Sequence, residues 1–65
     1  MSHRLRDRAA QLLAEKSKQR EDVLRALRAD AQTGAMTPED RAEAEALLAR
    51  LNAEIPELRA ATRHA

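Results

Sequence analysis

Gln32-Thr33-Gly34-Ala35-Met36-Thr37-Pro38-Glu39-Asp40 is the stretch whose reading decides the fold. Gly34 is the one residue in it that takes a positive φ without a Cβ penalty, so it suits the position just past a helix C-terminus. Thr37 has the side chain of an N-cap, and Pro38 follows at the first helical position, where its missing N–H costs nothing. Glu39 and Asp40 then place acid in the first turn, where the helix dipole favours it. The nine residues therefore predict a stop, a short connection and a fresh start: helix, loop at 32–37, helix.

The flanks agree. Residues 4–31 hold no Gly or Pro, and Leu5, Ala9, Leu12, Leu13, Val23, Leu24, Leu27 and Ala31 recur at helical spacing. A first helix over about 3–31 follows, with Ser2 as its expected N-cap and Glu21 and Arg25 as a supporting i,i+4 pair. Beyond the loop, Ala44, Leu47, Leu48, Leu51, Ile55, Leu58 and Thr62 share a narrow arc, which predicts a second helix over about 38–62. Pro56 interrupts it at a cost of ~3 kcal/mol. The stripe stays in phase across it, so a kinked but continuous helix is expected rather than a new one. Two helices of similar length joined by so short a loop lie antiparallel. The expectation is one all-α helical-hairpin domain over 1–65. Each helix has one apolar stripe, and the edges of both stay exposed in a lone hairpin, so dimerisation into a four-helix bundle is expected as well.

Composition points the same way. Sixty-five residues form at most one small domain, and chains of that size bury only about 60% of their unfolded surface. There is no Phe, Tyr, Trp or Cys to enlarge or staple the core. Small scaffolds without such staples commonly gain buried area by association. Charged residues make up 35% of the chain, yet the net charge is only +1. The longest apolar run, Ala46-Leu47-Leu48-Ala49, is far short of the ~20 residues a bilayer requires. The basic N-terminal residues have no apolar stretch behind them, unlike a secretory signal. A cytoplasmic protein without a membrane role is the expectation, and the absence of cysteine agrees with it.

Three features invite a functional reading. Lys16 and Arg20 stand where the apolar arc of the first helix calls for Leu or Ala, opposite the level of Leu51 to Ile55, with Glu54 on the flank. Either their stems lie on the core while the charges snorkel outward, towards Glu54, or the three residues form a polar layer that fixes register or partner choice. Charge is also asymmetric. Residues 1–20 carry six bases against two acids, and residues 39–57 carry six acids against two bases. The halves attract each other within a bundle. Alternatively, a basic stripe including Arg4, Arg8 and Lys18 contacts phosphates, although no aromatic residue is present to stack on bases. Finally, a hairpin brings the ends together, so His3 and His64 would supply two imidazoles. No third ligand accompanies them at a fitting spacing, and no metal or other cofactor is expected.

Catalytic patterns are missing. The two serines, Ser2 and Ser17, lack a His–Asp/Glu constellation, and no Gly-rich phosphate loop or paired-carboxylate motif occurs. A two-helix layer also offers no concave pocket of catalytic size. The chain is expected not to be an enzyme.

Residues Val23-Leu24-Arg25-Ala26-Leu27 through Gly34-Ala35-Met36-Thr37-Pro38-Glu39-Asp40 are similar to the short bacterial C-terminal (SHOCT) oligomerisation motif. That motif also has a Leu-rich helix, Gly-x-aliphatic-Thr and acidic residues opening a second helix; Arg41 stands where it usually carries an aromatic residue. The resemblance covers less than half the chain and implies self-association. In size and layout, without shared motif residues, the chain also resembles the Rop-type plasmid regulators, helical-hairpin dimers that bind RNA. The leading expectation is a protein–protein association module that pairs with itself and docks on a larger protein as adaptor, small subunit or inhibitor. Its interface would use Leu5, Leu12, Leu13, Val23, Leu27, Leu47, Leu48, Leu51, Ile55 and Leu58. The alternative is a small nucleic-acid-binding regulator.

Overall fold

The computed structural model describes the backbone of residues 2–64 and the side chains of residues 4–63. The cap expected of Ser2 and the imidazoles of His3 and His64 lie outside the described side chains. Two helices make up the fold, α1 over Ser2–Thr33 and α2 over Pro38–His64, and they pack against each other as a hairpin. At about 1.5 Å of rise per residue, a helix as long as α1 spans about 48 Å. The molecule measures 48 × 14 × 13 Å, so it is a rod one helix long and two helices wide. Its radius of gyration is 14.7 Å, against about 11 Å for a compact chain of this length.

The turn is built from side chains of α1 as much as from the loop itself. Gly34 adopts φ 66°, and its N–H donates to the Asp30 carbonyl at 2.7 Å, closing the helix with a left-handed cap. A Cβ at Gly34 would meet nothing within 4 Å, so the need for glycine is conformational rather than steric. The next two N–H groups also turn back: that of Ala35 donates to Thr33 Oγ1 at 3.3 Å and that of Met36 to Asp30 Oδ1 at 2.7 Å. Thr33 donates its own hydroxyl to the Ala29 carbonyl at 2.9 Å. With its side chain so engaged, α1 continues to Thr33, past the expected end near 31. On the far side, the Asp40 N–H donates to Thr37 Oγ1 at 3.1 Å, and the Arg41 N–H donates to the Thr37 carbonyl at 2.9 Å. Those two bonds are the N-cap and the first helical bond of α2.

Cross-helix polar contacts give the register. Asp30 meets Arg41, Arg20 meets Asn52 and Lys16 meets Glu54. Each step toward the N-terminus of α1 is matched by one toward the C-terminus of α2. This register sets Leu27 level with Ala44, Val23 with Leu48, Arg20 with Leu51, Lys16 with Ile55 and Leu13 with Leu58. The α1 positions 9, 13, 16, 20, 23, 27 and 30 alternate three- and four-residue steps, the seam of an antiparallel coiled coil. Ala31 was expected to close the apolar face, but it is exposed, and the buried residue that ends the seam is Asp30.

Pro56 does not divide α2, which runs unbroken through it. Its ring is exposed while Ile55 is buried and Leu58 half-buried, so the proline lies off the seam and the stripe keeps its phase.

Candidate functional site

The seam holds little apolar volume. Among the described residues, Leu51 at 1% exposure and Ile55 at 7% are the buried apolar ones. By the register, each lies level with one of the two cations of α1, Leu51 with Arg20 and Ile55 with Lys16. Both cations are half-buried, and both carry their charge to the edge of the helix pair. The Lys16 ammonium lies 3.1 Å from Glu54 Oε2. Arg20 donates from Nε to Asn52 Oδ1 at 2.7 Å, with its Nη1 3.6 Å from Glu21 Oε1. Long alkyl stems spread over a small apolar core, with the charges at the rim, are how Lys and Arg serve in such positions.

These contacts also separate the two flanks of the rod. Arg20 reaches toward one flank, where Ser17, Arg20, Glu21, Asn52, Ile55, Pro56 and Arg59 line an open groove of mixed polar and apolar character. Leu24 is on the same side as Ser17, one heptad further on. Lys16 reaches the opposite flank, that of Glu54. Heptad spacing places Leu5 and Leu12 on this second flank from α1 and Leu47 and Ala61 on it from α2. Leu5 is 74% exposed, and Leu12 and Leu47 are half-buried. The ten residues expected at the interface thus divide. Leu13, Val23, Leu27, Leu48, Leu51, Ile55 and Leu58 close the hairpin itself, and Leu5, Leu12 and Leu47 remain on one open flank.

Asp30 and Arg41 were not anticipated as a pair. Asp30 is 4% exposed. Its Oδ2 accepts from Arg41 Nε at 2.8 Å while its Oδ1 holds the Met36 N–H, so one carboxylate joins both helices and the loop. The Met36 N–H lowers its pKa most; burial works against that, and the hydrogen bond and charge of Arg41 lower it further. One signal for it was present in the sequence. A carboxylate in the last turn of a helix opposes the dipole, and α1 has no basic residue there to offset it.

The phosphate-contact candidates Arg4, Arg8 and Lys18 are all exposed. Lys18 and Arg4 lie on the outer line of α1, away from the seam, with Arg25 one heptad beyond Lys18. Among the described residues, no group of three or more His, Cys, Asp or Glu is placed to hold a metal ion. No described helix is long and apolar enough to cross a membrane. Comparison with protein-family models, with curated proteins and with solved structures finds no match. The likeness to the SHOCT motif therefore rests on residues 23–40 alone.

Proposed function

We propose that this chain is a non-enzymatic association module: a helical hairpin that pairs with a second copy into a four-helix bundle, and in that form serves a larger protein as adaptor, small subunit or inhibitor. Exposed surface carries the reading. The rod exposes 5117 Å², whereas a compact monomer of its mass would expose about 4,200 Å². The excess of about 900 Å² is close to the roughly 800 Å² that each partner gives up in a standard interface. Part of that surface is leucine, on the flank that bears Leu5, Leu12 and Leu47. A seam whose apolar burial centres on Leu51 and Ile55 is also a thin basis for a stable monomer. The same proposal places the protein in the cytoplasm, where a cysteine-free fold loses nothing to reducing conditions.

Sedimentation equilibrium and thermal melting over a hundredfold range of concentration test it. A dimer at micromolar concentration, with a melting midpoint that rises with concentration, is the expected result. A concentration-independent monomer that melts sharply at high temperature overturns it.

The second reading, a nucleic-acid regulator, is favoured by one observation: Arg4, Arg8 and Lys18 are exposed on α1, with Arg4 and Lys18 on the line away from both the seam and the leucine flank.

A further inference from the structure

The hairpin converts a difference between its helices into a difference between the ends of the rod. Residues 1–18 and 53–65 occupy the half that carries both termini. They hold seven Lys and Arg against four Asp and Glu, a net of +3. Residues 19–52 occupy the half that carries the loop and hold five bases against seven acids, a net of −2. The charges balance over the chain but not along the 48 Å rod. At physiological ionic strength a charge is felt over about 8 Å, so side-by-side partners respond to the local charge at each level rather than to the total. Two copies aligned the same way set positive half on positive and negative half on negative. Two copies in opposite directions set each half against its complement.

Two of the three leucines on the flank, Leu12 and Leu47, have the same symmetry. By the register, Leu47 lies level with residue 24 of α1, so Leu12 and Leu47 fall on either side of the rod's middle, about 10 Å and about 8 Å from it at 1.5 Å per residue. A two-fold axis across the middle of the leucine flank brings Leu12 of each copy to nearly the level of Leu47 in the other. An isologous interface requires this kind of self-complementary patch. Among the described residues the opposite flank has no such arrangement: Leu24 is its large aliphatic residue off the seam, beside a groove lined by Pro56 and the seam residue Ile55 together with polar side chains from Ser17 to Arg59.

We infer that the occupant of the leucine flank is a second copy of this chain, docked antiparallel about a two-fold axis so that the loop end of each hairpin lies against the terminal end of the other. This rests on the self-association proposed above and adds its direction and its face.

The chain lacks cysteine, so single substitutions give unique labelling sites. Ala35→Cys marks the loop end and Asp7→Cys the terminal end; both positions are exposed. Spin-labelled at Ala35→Cys, the dimer is expected to show a loop-to-loop distance approaching the 48 Å rod length. An equimolar mixture of the two labelled variants is expected to add a much shorter component. A short loop-to-loop distance overturns the antiparallel arrangement while leaving self-association intact. Sedimentation of the same samples separates that result from a monomer, which would overturn the association reading itself. For the face, Leu12→Glu is expected to weaken dimerisation at least tenfold and Leu24→Glu to leave it nearly unchanged. The reverse order, or equal effects in proteins of equal helicity, overturns the assignment of the flank.

Discussion

At the scale of single residues, Asp30 does the most with the least. One carboxylate ends the seam of α1, receives the Met36 N–H and binds Arg41 at the start of α2. Its pKa lies below the ordinary value of 3.8. A carboxyl whose pKa is lower folded than unfolded contributes stability that is fully present above the unfolded value and is lost as pH falls through the folded one. For Asp30 that window lies below pH 3.8. Asp30→Asn keeps an acceptor for Met36 but presents no charge to Arg41, so it is expected to lower the melting midpoint at neutral pH and to flatten the loss of stability on acidification. Melting curves of both proteins between pH 2 and 7 check this. An unchanged acid limb in the variant would mean that Asp30 is not a source of that pH dependence.

At the scale of the elements, the helices, their direction and their turn were legible because each rests on local chemistry: the conformational freedom of Gly34, the hydroxyl of Thr37, the fixed φ of Pro38. The division of the leucines was not. Leu12 and Leu13, Val23 and Leu24, and Leu47 and Leu48 are adjacent pairs, and a seam takes one position of each. Which one becomes clear only when both helices share a register, and that is a relation between segments far apart in the chain. The Asp30–Arg41 pair was hidden for the same reason, since its partners are eleven residues apart across a turn. Lys16 and Arg20 were visible as departures from the pattern, and their surroundings suggest what their stems do. An exposed or half-exposed ion pair contributes about 0–1 kcal/mol, so little of their worth lies in the charge. Fully burying a leucine side chain gains ~1.5–3 kcal/mol, and partial burial proportionately less. Replacing both with Leu is therefore expected to raise stability by about 1–2 kcal/mol without altering the oligomeric state. Replacing both with Ala uncovers Leu51 and Ile55 and is expected to cost a similar amount. Denaturant titration and light scattering on the two double variants check the order Leu, wild type, Ala. If the Ala variant matches the wild type, the stems do not support the core. If the Leu variant changes oligomeric state, the cations select the assembly rather than fill the seam.

At the scale of the whole molecule, the question is whether the positive end of the rod serves another copy of the chain or a nucleic acid. Salt separates the two. A surface that neutralises phosphates releases condensed counterions, so the logarithm of its affinity falls with that of salt by about 0.9 for each contact on duplex DNA. A site built from three or four cations such as Arg4, Arg8 and Lys18 would thus lose affinity by about 10²-fold between 50 and 200 mM salt. With no aromatic residue to stack on bases, nothing in that site replaces the lost electrostatic attraction. Self-association over the leucine flank keeps its apolar contribution in salt, and only the part due to the opposed ends is screened. Filter binding of RNA and DNA, run beside sedimentation across the same salt series, is expected to show weak, non-selective nucleic-acid binding that vanishes near physiological ionic strength, while the dimer persists. The triple variant Arg4→Ala, Arg8→Ala, Lys18→Ala should flatten the nucleic-acid salt slope and leave the dimer in place. Sub-micromolar, structure-selective RNA binding at physiological salt that this variant abolishes would instead make the outer line of α1 the working surface and the dimer its scaffold.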